Sequence, residues 1–316
     1  MPLAIKFFST NTRKLDSCYF LQYPVIMKKL LLLLLLVAQV LAGCSGPSSS
    51  KDQKLQVMAS FYPMADFARN IGGSYVEVKT MIPDGVEPHD WEPSPRDLTS
   101  LGLAQVFIYN GIVEPWAEPA LEALKERKLL AVEAGANLYR RQGKVDPHVW
   151  ISPKKALVQV DRIKEAFIEA DPAHKAEYEK NAALYKEQLT ALDKRLEAVA
   201  AAAPKKVFIT AHAAFGHLAQ DYGLEQRAIA GISPEAEPSP GDLKALVELV
   251  HREQVAYIFF ETLGDPRISQ MLAQETGAKI SVLDPIEGLD KEGREAGLNY
   301  FKLMEQNIKN LEEALR

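Results

Sequence analysis

From residue 55 onward the chain alternates between two hydrophobic periods. Leu55 to Ala59, Val76 to Ile82, Val106 to Tyr109 and Leu129 to Val132 are short runs rich in β-forming residues, separated by helical or turn-rich sequence. That alternation predicts βα units around a mostly parallel sheet. Asp171-Pro172, a cap followed by proline, then opens a stretch with no Gly or Pro before Pro204. Tyr178, Leu184, Tyr185, Leu189, Leu192 and Leu196 keep close to helical spacing there, so one helix of about 30 residues, roughly 45 Å long, is expected. After it the alternation resumes, with strands predicted at 207–209, 226–230, 255–260 and 280–283 and a last amphipathic helix from about Gly297. The expected fold class is α/β: an N-terminal lobe at 55–170, a long linking helix at 171–203 and a similar C-terminal lobe at 204–316. No sequence repeat between the lobes is apparent on this reading.

Residues 1–54 follow another pattern. Met27-Lys28-Lys29 is a short basic region, Leu30 to Leu41 is apolar apart from Gln39, and Leu41-Ala42-Gly43-Cys44 follows. This is the layout of a secretory signal, too short for the reading of a membrane-spanning helix of about 20 residues. The small residues ending on cysteine resemble the lipobox of bacterial lipoproteins, which implies lipidation of Cys44 with 44–54 as its tether and places 1–43 upstream of the mature protein. Removing 1–43 takes away Lys or Arg at 6, 13, 14, 28 and 29 and one acid, Asp16. The net charge moves from −5 to −9, with 32 basic and 41 acidic side chains left. An acidic chain argues against a nucleic-acid partner and suits a cationic solute. With Cys44 lipidated and Cys18 removed no thiol remains, so a transition-metal site must use His and carboxylates.

Six histidines are available. His174, in the first turn of the long helix, and His251, on a polar helix face, read as solvated. His89 sits in VEPHDWEPSPRD, His148 in VDPHVWISP and His212 in VFITAHAAFGHLAQDYGL, each at a strand end or in a proline-stiffened loop. Ligands of open α/β sheets bind outside the carboxyl ends of strands. Three imidazoles arriving there from both lobes make a site for Zn²⁺, with an oxygen ligand to complete it. Asp284 and Glu287, in SVLDPIEGLDKEG, both follow a strand and both lie within reach. His217 falls off the face expected after His212 and is left outside the ligand set. Glu261, ending VAYIFFE, is a candidate acceptor for the second N–H of a ligand histidine. In GISPEAEPSPGDL, Glu235 and Glu237 read as a rim or a surface for a partner.

PHDWEPSPRD, DPHVWISP, TAHAAFGHLAQDYGL, GISPEAEPSPGDL and LDPIEGL together resemble the motif set of the zinc- and manganese-binding solute-binding lipoproteins of bacterial ABC importers, the ZnuA/TroA-like group. The resemblance spans nearly all of 55–316. It implies two lobes joined by a rigid helix with the metal bound in the cleft between them, and His89, His148 and His212 as nitrogen ligands. The fourth ligand is then Glu287, as in zinc-binding members, or Asp284, as in manganese-binding ones; Glu287 is favoured. It also implies an ABC permease with its ATPase subunits as partner, a monomer, and a place in the cell envelope, lipid-anchored to the outer face of the cytoplasmic membrane or periplasmic. Many zinc-binding members carry a His-rich loop after the first ligand motif; Gly111 to Lys144 contains no histidine, so no second scavenging site is expected.

Nitrogen-rich sites favour Zn²⁺ over Mn²⁺, and manganese survives as cargo only if both Asp284 and Glu287, or another acid, join the shell. Three histidines on zinc also describe a hydrolytic centre, but the chain has no H-E-x-x-H, no Gly-x-Ser-x-Gly and no phosphate-cradling glycine loop, so an enzyme is not expected. Some members of the family are linked to host adhesion, a role that needs no motif.

Overall fold

The computed structural model describes residues 54–141 and 143–316; the secretory segment, Cys44 and the tether up to residue 53 lie outside the described residues. The first lobe is built from β1 (Leu55–Ala59), α1 (Tyr62–Gly72), β2 (Val76–Thr80), α2 (Pro95–Leu101), β3 (Val106–Tyr109), α3 (Ala117–Ala123) and β4 (Leu130–Glu133). Its strands are all parallel, in the order β2-β1-β3-β4. A short antiparallel ribbon of β5 (Arg140–Arg141) and β6 (Lys144–Val145) leads through one 3₁₀ turn to α4 (Pro153–Ala170) and the long α5 (Lys175–Ala202). The second lobe follows as β7 (Val207–Thr210), α6 (Gly216–Tyr222), β8 (Glu225–Ala228), α7 (Pro240–Glu253), β9 (Tyr257–Phe260), α8 (Arg267–Thr276), β10 (Lys279–Val282), α9 (Lys291–Glu295) and α10 (Tyr300–Ala314). Its sheet is again parallel, in the order β10-β9-β7-β8.

Numbered within each lobe, both sheets run 2-1-3-4, so the lobes share one topology. The sequence carries an echo of this that the reading above missed. Glu92-Pro93-Ser94-Pro95-Arg96-Asp97 and Glu237-Pro238-Ser239-Pro240-Gly241-Asp242 both follow the second strand of their lobe. In each the serine caps the next helix, proline takes the first helical position, and the aspartate closes a capping box. Six residues within a chain of this length are too short to stand out as a repeat without the shared topology.

The long helix differs from expectation in two details. Its first turn, Pro172–His174, is 3₁₀, and the α-helix proper has 28 residues. Leu184 is off the buried stripe and exposed, while Tyr178, Ala182, Tyr185, Leu189, Leu192, Leu196 and Ala200 form a continuous buried line at steps of three or four. His174 is not simply solvated either: its ring stacks on Tyr75 at 4.2 Å and Nδ1 meets Asp171 at 2.6 Å. His251 is exposed, as expected.

One hydrophobic core runs through both lobes. It joins Phe61, Met64 and Phe67 of the first lobe to the buried stripe of α5 and on to Phe208, Phe215, Leu283, Ile286 and Tyr300 of the second. Two smaller clusters back the outer faces of the sheets. Because the lobes share one core across α5, separating them exposes apolar surface, at about 25 cal/mol per Å², and a wide hinge opening is disfavoured.

Candidate metal centre

The carboxyl ends of both sheets face one another, and the loops that leave them carry the chemistry. His89 lies in the loop after β2, His148 after the β5–β6 ribbon that follows β4, His212 two residues beyond β7, and Glu287 beyond β10. One ligand-type atom from each of these four side chains lies within 4.8 Å of all the others. His89 Nε2 is 3.1 Å from His148 Nε2, and His212 Nε2 is 3.3 Å from it. Glu287 Oε1 lies 3.3 Å from His89, 3.3 Å from His148 and 3.7 Å from His212. A tetrahedral zinc with arms of about 2.0–2.1 Å has edges of roughly 3.3–3.4 Å, so these five distances are close to those of a four-coordinate zinc shell, and the sixth, between His89 and His212, is within 4.8 Å.

The groups behind the imidazoles settle which ring nitrogens face inward. His148 Nδ1 meets Asp146 Oδ1 at 2.9 Å and His212 Nδ1 meets Glu261 Oε2 at 2.6 Å. A carboxylate facing Nδ1 accepts a hydrogen bond from it and so fixes the imidazole proton on Nδ1, which leaves the Nε2 lone pair directed at the cluster. Lone pairs about 3 Å apart repel one another, and a cation or a proton among them removes the repulsion. Glu261 also accepts the His212 backbone N–H through Oε1.

Protonation follows the same logic. Burial by itself lowers the His148 imidazolium, but hydrogen bonds to Asp146 and Glu287 outweigh it and the net shift is upward. Burial likewise opposes charge on His212, and the charge of Glu287 with the hydrogen bond to Glu261 carries its pKa well above the usual imidazole value. Burial raises Glu287, yet the facing histidines hold it well below the ordinary carboxylate range. The shifts thus favour positive charge on the imidazoles beside a negative Glu287.

Sequence reasoning missed the local device that orients these loops. In Glu87-Pro88-His89 and Asp146-Pro147-His148 the acid accepts the backbone N–H of the residue two positions on, at 3.1 Å in both. Proline has no N–H and a fixed φ, so an acid–Pro–X triplet is a stiff turn with one donor to satisfy. Asp284-Pro285-Ile286 repeats it, with Asp284 Oδ1 accepting the Ile286 N–H at 2.7 Å. Asp265-Pro266-Arg267 does so away from the cluster. The sequence holds nine acid–Pro–X triplets and these four make the bond, so the pattern alone does not single out the turns.

Asp284 and Glu287 separate cleanly. Asp284 spends Oδ1 on Ile286 and Oδ2 on Thr262 Oγ1 at 2.7 Å, and it is not among the four converging groups. His217 also lies outside them; it is buried, and its Nε2 donates to the Asp146 carbonyl at 2.8 Å. Trp150, fully buried beside His148, donates from Nε1 to the carbonyl of Pro285 at 2.8 Å, tying a first-lobe loop to the loop of Glu287. Glu235 and Glu237 are exposed and line, with Glu87 and Glu261, a cavity of about 440 Å³ behind the cluster. Burial and the charge of Glu287 push Glu87 up to about 8.

Two parallel α/β lobes of one topology, a long helix between them and four donor groups meeting in the cleft define a cleft-type solute-binding protein. The family model "Zinc-uptake complex component A periplasmic" (ZnuA) matches residues 57–314, and the chain belongs to that family. It is 38% identical over 306 residues to the zinc-binding lipoprotein AdcA of Streptococcus pneumoniae serotype 4, covering 91% of this chain and 61% of that protein. It is 37% identical to the high-affinity zinc uptake system protein ZnuA of Bacillus subtilis, over 87% of this chain and 92% of that one. Among solved structures, the Zn(II)-bound ZnuA-like domain of Streptococcus pneumoniae AdcA superposes with a TM-score of 0.76 at 39% identity, covering 83% of this chain and 99% of that domain. The laminin-binding adhesin Lmb of Streptococcus agalactiae reaches 0.77 at 32% identity, covering 83% and 100%.

Proposed function

We propose that this protein is an extracytoplasmic receptor that captures Zn²⁺ in the cleft and delivers it to an ABC permease with its ATPase subunits. His89, His148, His212 and Glu287 are the ligands in this reading. The observation that carries it is the set of donor–donor distances close to the edges of a zinc tetrahedron, with Nε2 lone pairs directed inward by Asp146 and Glu261. The AdcA and ZnuA relatives, named for zinc binding and zinc uptake, support the choice of ion. Asp284 is occupied elsewhere, so the extra oxygen that manganese needs is missing from the shell. Four protein donors leave no open position for an activated water, which removes the geometric basis of a hydrolase.

The anchoring belongs to the same reading. Cys44 carries the lipid, 44–54 is the tether, the lobes are 55–170 and 204–316 around the linker 171–203, and the protein works as a monomer in the cell envelope. Adhesion is a second role, suggested by the likeness to laminin-binding proteins and placed on the exposed surface rather than in the cleft.

The test is a metal competition on purified apo-protein offered equal Zn²⁺ and Mn²⁺, with bound metal counted by native mass spectrometry. One zinc per chain, lost in His148→Ala while circular dichroism is unchanged, is the expected result. Preferential manganese, or zinc retained by His148→Ala, overturns the assignment.

A further inference from the structure

We infer that Asp284 is the positioning residue of the cleft: it holds Ile286 in a left-handed turn and so delivers Glu287 to the three histidines. This rests on Glu287 being a ligand, as proposed above. Ile286 has φ of 57°, and among the described residues the other non-glycine positions with positive φ are Asn137 and Gln254. Asparagine and glutamine tolerate that region better than a β-branched side chain, for which it is an outlier that surrounding structure must impose. The position follows Pro285 and immediately precedes Glu287, so the chain direction at this one residue sets where the Glu287 carboxylate goes.

What imposes the turn can be named atom by atom. Asp284 Oδ1 accepts the Ile286 N–H at 2.7 Å and Oδ2 accepts from Thr262 Oγ1 at 2.7 Å, so the carboxylate bridges the turn to the loop after β9. The backbone of Asp284 is gripped on both sides by buried Asn307 of α10: Oδ1 accepts the Asp284 N–H at 2.8 Å, and Nδ2 donates to its carbonyl at 2.7 Å. Trp150 Nε1 holds the Pro285 carbonyl at 2.8 Å, and Tyr300 Oη holds the Trp150 carbonyl at 2.6 Å. The Ile286 side chain is fully buried in the shared core, which fixes the other end of the strained residue. Every polar group from Asp284 to Ile286 named here is therefore committed to shape, and Glu287 is the first side chain of the loop free to face the cluster.

The experiment is a double-mutant cycle on the purified protein, with zinc affinity read by chelator competition and folding by thermal melts. Asp284→Ala is expected to weaken zinc by about ten- to a hundredfold, the range for removal of a supporting partner of a metal ligand. Asp284→Asn keeps an oxygen for the Ile286 N–H and is expected to restore most of that loss; an Asp284 that bound the ion itself would fail in both variants. On a Glu287→Ala background, Asp284→Ala is expected to cost nothing further, because its effect passes through Glu287. Should Asp284→Ala not fold, Thr262→Val, which deletes the hydroxyl, is expected to lose about two- to tenfold through the same route. Undiminished zinc affinity in Asp284→Ala and Thr262→Val, or additive losses in the cycle, overturns the positioning role while leaving the cleft reading intact. Unchanged affinity in Glu287→Ala overturns both.

Discussion

Replacing Glu261 by glutamine keeps the shape of the side chain and exchanges one oxygen for an amide nitrogen. In the native cleft its two oxygens receive two donors from His212: the backbone N–H at 3.0 Å and Nδ1 at 2.6 Å. Glutamine has one oxygen, so whichever way the amide turns, one N–H faces another. Leaving the buried backbone donor unpaired costs about 1–3 kcal/mol. The alternative is for the imidazole to change tautomer, accept from the amide at Nδ1 and carry its proton on Nε2, the atom that faces the cluster. Zinc must then displace that proton before it can bind. Removal of a partner of this kind costs about ten- to a hundredfold in affinity, or about 1.4–2.7 kcal/mol.

An opposing effect sets the pH signature. The lost negative charge also weakens the hold of His212 on an extra proton in the metal-free cleft, which favours zinc where proton competition matters. The tautomer cost does not depend on pH, whereas this relief grows as pH falls, so the loss should be largest near about pH 8.5 and smaller near about pH 6.5. Chelator competition at both pH values, with melts to show that the fold persists, makes the measurement. Zinc affinity within a factor of two of wild type at the higher pH would refute the role of Glu261 in setting the tautomer.

Two further outcomes follow from the same geometry. In the metal-free protein the raised pKa values of His148 and His212 contribute stability that is complete below 6.5 and lost as pH rises through the folded values; depressed Glu287 contributes stability present above 4.5 and lost as pH falls. The apo melting temperature should therefore fall from about pH 6 to about pH 9 while the stabilisation by added zinc grows, and an apo stability that rises across this range contradicts positive charge on these imidazoles. Gly216 opens α6 against the pair formed by Arg141 and Asp146, and a Cβ built there lies 2.5 Å from Arg141 Nε and from Asp146 Oδ2. Gly216→Ala should displace that pair, destabilise by about 1–3 kcal/mol and weaken zinc through His148, whereas an unchanged melt and affinity would show that the loop yields without cost.

The elements and most of the chemistry were legible in the sequence because they are local. The period of the apolar positions marked the strands to within a few residues, and the stretch from Ala173 to Ala203 declared the long helix by lacking Gly and Pro. His89, His148 and His212 stood out because proline and aromatic neighbours mark rigid loops at strand ends, and the family motifs reinforced them.

What only the tertiary structure decided depends on groups far apart in the chain. Asp284 and Glu287 are three residues apart with similar chemistry, and the sequence alone does not separate them; Thr262 does, by occupying the Asp284 oxygen that the turn leaves over, while Asn307 grips the Asp284 backbone and Glu287 stays free to face the cluster. Glu261 meets His212 across 49 positions, and Trp150 meets Pro285 across 135. The common topology of the lobes was hidden because sheet order is a long-range property, even with Glu-Pro-Ser-Pro written twice. A sequence states which donors exist and how stiffly each loop holds its own, whereas which donor reaches the cleft is set by hydrogen bonds between segments that meet only once the shared core has formed.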